Sequence, residues 1–178
     1  MCGGRGTRLD VAGEKPLYEV GGRSMVDRVR EALVESEVDT VHAVTSPHAP
    51  ETREHVAGPR LDAPGEGYVA DLGYALERVD PPVLTVAADL PLLAGDAVDA
   101  VLDAFDGTNL AVCVPVALKR ALGVSVDATM DHGDETVAPT GINVVSPRDT
   151  DTIHMSYDVR HAVNVNRLED AQIAEALL

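Results

Sequence analysis

The chain has 178 residues, 45% of them hydrophobic, which is the length of one domain and excludes a disordered segment. Cys2 and Cys113 are its two cysteines, which excludes a disulfide framework or a four-cysteine zinc site. A net charge of −16 with 3% aromatic residues excludes general nucleic-acid binding, because an acidic surface repels phosphate backbones and stacking platforms are scarce. No apolar run approaches the roughly 18 residues of a membrane helix. The expectation is a soluble, reduced, cytoplasmic protein. Twelve Arg stand beside two Lys, Lys15 and Lys119. That bias, with the excess of Asp, suggests a halophile's high-salt cytoplasm.

The charge is uneven along the chain. Residues 1–30 carry a net +2 and the remainder −18. Gly3, Gly4 and Gly6 come first, with Arg5, Arg8 and Lys15 among and just beyond them. Closely spaced glycines let backbone N–H groups turn inward onto phosphate oxygens, and the cations add full charges. The segment therefore reads as a site for a small polyanion. Neither the P-loop pattern nor the dinucleotide G-x-G-x-x-G is present, since Leu9 stands where the third glycine would be.

Ser24–Ser36 is predicted to be a helix, with Met25, Val26, Val29, Ala32 and Leu33 on one face and Ser24 as its cap. Val38–Thr45 is predicted as a buried strand, and Ala49–Ala57 as a short helix with Pro50 in its first turn. Tyr68–Val79 is a helical stripe. Val83–Ala88 is a second strand, Ala97–Phe105 a helix and Asn109–Val116 a third strand. Residues 117–140 are broken by Gly123, Gly133 and Pro139 and crowded with acids, so they read as a long loop. Gly141–Val145 is a fourth strand, His161–Val165 a fifth, and Arg167–Leu178 a closing helix. This alternation implies βαβ units: an α/β, Rossmann-like fold with a mostly parallel central sheet and helices on both faces.

The residues Gly3-Gly4-Arg5-Gly6-Thr7-Arg8-Leu9, followed by Glu14-Lys15-Pro16-Leu17, resemble the two-part signature of the Rossmann-like nucleotidyltransferases. In that family the loop wraps nucleotide phosphates, and the Arg and Lys counter charge at the reacting α-phosphate. The family loop follows directly on a first apolar strand. Here Cys2 alone separates Met1 from the glycines, so the expectation is a single domain, residues 1–178, whose first strand is missing before Met1.

Three further segments carry the resemblance. Gly65-Glu66-Gly67-Tyr68 stands where the family contacts base and ribose; a plain helix cap is the other reading. Val83–Pro91 is an apolar strand ending in Asp89, which resembles the family's metal-binding acid; a surface turn is the alternative. Pro139–Pro147, with Gly141-Ile142-Asn143, and the ending Asn164-Val165-Asn166-Arg167 are similar to the archaeal GTP:adenosylcobinamide-phosphate guanylyltransferases.

That resemblance implies transfer of GMP from GTP to adenosylcobinamide phosphate, with release of pyrophosphate, in cobalamin biosynthesis. It implies Arg8 and Lys15 as catalytic residues. Gly3, Gly4, Arg5, Gly6, Thr7, Gly65, Gly67 and Tyr68 would bind nucleotide, Gly141 and Asn143 would lie on the acceptor side, and Asp89 would hold Mg2+. For Asn164 and Asn166, an approach to metal or acceptor and a structural turn stay equally open. The partners are then GTP and adenosylcobinamide phosphate, and a homodimer is left open. Two other readings remain: a molybdenum-cofactor guanylyltransferase, and a non-catalytic GTP-binding module.

Overall fold

The structure, a computed structural model, describes Met1, Cys2, Leu9 and residues 13–178. A 3-10 turn at Lys15–Leu17 leads into a hairpin of β1 (Glu19–Val20) and β2 (Arg23–Ser24). Gly21 and Gly22 form its turn with φ of +59° and +74°, the pair of positive values that a two-residue hairpin turn requires. Helix α1 (Met25–Glu35) follows at once. Ser24 caps it by accepting the Asp27 amide, and Met25, Val26, Val29 and Ala32 are buried along it.

Next come β3 (Ala43–Thr45), α2 (Pro50–His55) and β4 (Arg60–Asp62), which pairs parallel with β3. Then α3 (Tyr68–Leu76), β5 (Val83–Val86), α4 (Gly95–Asp103) and β6 (Asn109–Pro115) alternate as the hydropathy pattern predicts. The chain closes with α5 (Val116–Leu122), β7 (Met130–His132), β8 (Glu135–Val145), β9 (Asp151–Met155), α6 (Val159–Ala162) and α7 (Leu168–Ala176).

The main sheet runs in the order β5-β8-β6-β9, with β7 paired to β8. Strands β5 and β6 are both antiparallel to β8 and so share a direction, and β9 is parallel to β6. Met1 and Cys2 connect this sheet to β3. The Met1 nitrogen donates to the Val86 carbonyl at 2.8 Å, the Ala88 amide to the Met1 carbonyl at 3.2 Å, and the Cys2 amide to the Val44 carbonyl at 3.0 Å. The first two bonds have the slanted pattern of a parallel ladder. The result is a mixed, mostly parallel sheet in which β8 is the reversed strand.

Helices α1 and α4 cover one face, where Val29, Ala32, Ala97, Val98 and Val101 pack on Val86, Leu110, Val112, Ile142 and Val144. Helix α3 lies on the other face. Ala43 packs towards Val26 of α1 while its neighbour Val44 packs towards Ala75 of α3, and alternate residues of a strand point to opposite faces. The α7 residues Ala171 and Ala174 bury Val163, Val165, Val20 and Met25. Beyond Met1, between β3 and β5, lies a cavity of about 380 Å³ lined by apolar groups that include Val38, Val41, Leu72, Leu76 and Leu84.

Four expectations are corrected. The strand expected at Val38–Thr45 is confined to Ala43–Thr45, and its partner β4 was not foreseen. Residues 117–140 are not one long loop. They hold α5, which Gly123 ends in the left-handed conformation at φ +78°, and the β7–β8 hairpin, which turns at Gly133 with φ +60°. Glycines read as interruptions are the ends of regular elements. The fourth strand is therefore longer than Gly141–Val145, and Pro139 sits inside it at a register shift against β6, where a ladder can lack an N–H. Finally, His161–Val165 is not a strand. It is buried and partly extended, but the Val165 amide bonds to the Asp89 carbonyl instead of entering a ladder. The remaining strand is β9, a half-exposed edge with weak alternation.

Candidate active site

Asp89 follows β5 at the carboxyl end of the strand, where open α/β sheets bind ligands. Its two carboxylate oxygens have separate partners. Lys15 Nζ donates to Oδ2 at 2.6 Å and also to Asn166 Oδ1 at 2.8 Å. Asn164 Nδ2 donates to Asp89 Oδ1 at 3.3 Å and to the Thr140 carbonyl at 2.7 Å. The Lys15 and Asp89 side chains are 17% and 19% exposed, so the pair is shielded yet open on one side to a small ligand. A backbone bond from Val165 to the Asp89 carbonyl, 2.9 Å, fixes the Asn164–Asn166 segment against the strand end.

Local structure explains each placement. Pro16 preorganises the 3-10 turn that carries Lys15. Glu14, just before it, accepts the amides of Glu51 and Thr52 at 2.8 and 2.7 Å, tying the turn to the start of α2. Partial burial works against Glu14's ionisation, but the hydrogen bonds from Thr52 and Glu51 prevail and hold its carboxyl below the ordinary value. The asparagine segment is locked by Asp170 in the first turn of α7. Its carboxylate accepts the amides of Asn166 and Arg167, both at 2.9 Å, and the amide and hydroxyl of Ser125, both at 2.7 Å. Burial again opposes ionisation, and these hydrogen bonds outweigh it, so Asp170 also titrates below its usual range.

The Gly65–Gly67 turn leads into α3. Gly65 and Gly67 have φ of +79° and +113°, a conformation that side-chain-bearing residues rarely adopt. The Gly65 amide donates to Asp71 Oδ1 at 2.8 Å, and the His48 ring lies 2.9 Å from the Gly65 carbonyl. Tyr68 opens the helix and is 52% exposed, so its ring is free to meet a ligand. Gly141, at φ +85°, lies against Ala87, two residues before Asp89. A Cβ there would come 2.8 Å from that of Ala87. Asn143 is paired with Thr85 and Ala111 further down the sheet and is not part of the Asp89 cluster.

The structure thus brings together Lys15, Asp89, Asn164 and Asn166, with Gly141 beside them. Gly3, Gly4, Arg5, Gly6, Thr7 and Arg8 lie outside the described residues. Lys119, Thr140 and Asp170 belong to the network and were missed in the sequence reading. Lys119 is 4% exposed and donates to the Ala162 carbonyl at 2.7 Å and to Asn164 Oδ1 at 3.1 Å. Burial pushes its amine down from the ordinary value, while Asp170, Asp89 and Asp127 pull it back up. One signal could have found it: it is the second lysine of a chain with two.

Other chemistry is poorly supported. Burial raises both thiols, Cys2 and Cys113, so neither supplies a thiolate near neutral pH. His161 is buried on α6 against the Ser156 hydroxyl at 2.8 Å. Among the described residues no three His, Cys, Asp or Glu side chains gather into a metal-binding group. Nor is any described helix long and apolar enough to cross a membrane.

Comparison with known proteins gives concordant matches. Residues 1–126 match the MobA-like NTP transferase domain family. The whole chain is 30% identical, over 95% of the relative's length, to an adenosylcobinamide-phosphate guanylyltransferase from Methanocaldococcus jannaschii. Among solved structures, a hypothetical transferase from Thermus thermophilus superposes with a TM-score of 0.62 at 26% identity, over 82% of this chain and 63% of its own. A putative glucose-1-phosphate thymidylyltransferase from Bacillus anthracis gives 0.70 at 14% identity, over 99% and 92% of the two chains.

Proposed function

The chain belongs to the family of MobA-like NTP transferase domains, and from that premise we propose that it transfers GMP from GTP to adenosylcobinamide phosphate, releasing pyrophosphate. The observation that carries the site assignment is the Lys15–Asp89–Asn166 cluster at the carboxyl end of β5. The acceptor and the base follow from the full-length similarity to the Methanocaldococcus guanylyltransferase.

The reaction asks for positioning and charge stabilisation more than for a protein nucleophile, because the attacking phosphate is already ionised. An acceptor phosphate oxygen forms a bond to the α-phosphorus of GTP, and the bond from that phosphorus to the bridging oxygen of pyrophosphate breaks. Lys15 is the described cation at the site. On substrate binding its ammonium exchanges a carboxylate partner for a phosphate oxygen, and it stabilises charge on the α-phosphate and the leaving group. Arg8 and the backbone amides of Gly3, Gly4, Arg5, Gly6 and Thr7 would hold the phosphates. Gly65, Gly67 and Tyr68 would shape the base and ribose pocket, and Gly141 would serve the acceptor side, without Asn143, which lies further down the sheet.

Asp89 is the residue for Mg2+. The Asp89 carboxylate and the Asn166 amide oxygen are hard donors of the kind Mg2+ prefers, and together they already hold one cation, the Lys15 ammonium. When bound, the ion would neutralise phosphate charge.

Pyrophosphate release tests the proposal. Each nucleoside triphosphate is paired with adenosylcobinamide phosphate, a pterin phosphate or a sugar phosphate. Release with GTP and the corrinoid is the expected result. Release with the pterin alone would assign the chain to molybdenum-cofactor chemistry. GTP binding with no release from any acceptor would make it a binding module.

A further inference from the structure

We infer that Lys119 is a positioning residue: it fixes the orientation of the Asn164 amide and, through it, the Asp89 carboxylate. The inference rests on the reading of Asp89 given above. Lys119 lies on α5, outside every motif that the sequence analysis singled out, and its side chain does not touch Asp89 directly.

The argument is one of hydrogen-bond polarity. An ammonium can only donate, so its 3.1 Å contact selects the oxygen end of the Asn164 amide. The NH2 end must then face the other way. There it meets two groups that can only accept, the Thr140 carbonyl at 2.7 Å and Asp89 Oδ1 at 3.3 Å. With Lys119 replaced by an apolar side chain, no donor among the described residues remains on the amide oxygen. A flipped amide would set its oxygen against a carbonyl and a carboxylate, and a tilted one would release Asp89 Oδ1.

The geometry also distinguishes Lys119 from a generic core residue. Burying an ammonium carries a desolvation cost that an apolar side chain of similar volume would not. The two partners of this one are the Ala162 carbonyl and Asn164, both in the segment that runs to the Asp89 strand end. Each oxygen of Asp89 is therefore reached by one of the chain's two lysines. Oδ2 is reached by Lys15 directly, and Oδ1 by Lys119 through an amide.

The test is a double-mutant cycle on the full chain, with pyrophosphate release from GTP and adenosylcobinamide phosphate as the readout. The variants are Lys119→Met, Asn164→Ala, their combination, and Asp89→Asn as the reference. Lys119→Met should keep a cooperative melt and lose about 10–100-fold in kcat, as supporting residues around a functional group do. Its KM for GTP should stay within about threefold, since neither Lys119 nor Asn164 is placed against the nucleotide itself. The double variant should be no worse than Asn164→Ala alone, because both changes remove the same contact. A folded Lys119→Met with wild-type kcat, a change confined to KM, or losses that multiply in the double variant would each overturn the inference.

Should Lys119→Met not fold, Asn164→Asp takes its place. It keeps a partner for Lys119 but turns the donor facing Asp89 into an acceptor, and it should show the same loss of kcat. Wild-type kcat in that variant would overturn the inference. If Asp89→Asn itself turns over normally, the reading of the site fails and takes this inference with it. An inactive Asp89→Asn beside a fully active Lys119→Met refutes the positioning role alone.

Discussion

Lys15 is held by two side-chain oxygens, those of Asp89 and Asn166, before any substrate arrives. Lys15→Ala should therefore lower kcat by about 100-fold or more, the usual cost of losing a group that stabilises charge in the transition state. A melt close to wild type should accompany it, because both partners of Lys15 are side chains of the same partly exposed cluster; near-normal pyrophosphate release would remove Lys15 from the chemistry. Asp170 contributes to the acid dependence of stability instead. Its carboxyl titrates lower in the fold than in the unfolded chain, so its stabilisation is full above the unfolded carboxylate range, about pH 4. That stabilisation is lost as pH falls through the folded value. Asp170→Asn should cost about 1–3 kcal/mol at neutral pH, and its melting temperature should converge with wild type in acid. A constant gap across the pH range would count against it. Lys15 and Asp89 could be named from sequence because each stands in a short local pattern. Lys119, Thr140 and Asn164 could not be assigned, since they reach Asp89 through contacts spanning 24 to 75 residues.

At the scale of elements, those with strong periodicity and clear ends were legible. Helix α1 shows its cap and its apolar face, and β5 and β6 show continuous apolar runs bounded by breakers. Two kinds of segment were not. Strands β4 and β9 are short or half-exposed, so alternation is lost in polar residues. Strand β8 of the β7–β8 hairpin lies between β5 and β6, and those tertiary pairings are not carried by local pattern. Gly141 marks where β8 meets the strand that leads to Asp89, and the backbone there takes φ +85°. Gly141→Ala combines a strained backbone with a Cβ overlap on Ala87 and should destabilise by about 1–3 kcal/mol. It should also lower turnover by moving the residues just before Asp89. A variant with unchanged melting and activity would show that the sheet absorbs the extra carbon.

At the scale of the whole molecule, charge decides more than any pair does. A net charge of −16 repels itself, and among the described acids only Asp71 and Asp170 are buried. Raising KCl from about 0.1 M to 2 M shortens the screening length to a few ångströms and should stabilise the chain. Each kcal/mol recovered lifts the melting temperature by about 2–4 °C at this size. A melting point that falls or stays level with salt would argue against a high-salt working environment.

The join between β3 and β5 has a further consequence. Among the described residues it includes three backbone hydrogen bonds through Met1 and Cys2, a Cys2 thiol bond to the Val44 carbonyl, and small clusters of Cys2, Val26, Val56 and Ala88 and of Met1 with Val44 and Ala75. On one side lie β3, β4 and α3 with the Gly65–Gly67 turn, and on the other the five-stranded sheet that leads to Asp89. So few described bonds at this join predict unequal protection on its two sides. In deuterium exchange, the amides of Ala43 and Ala63 should lose protection well before those along β6 and β8. The Gly65–Gly67 turn would then open and close on its own clock, against a main sheet that stays folded.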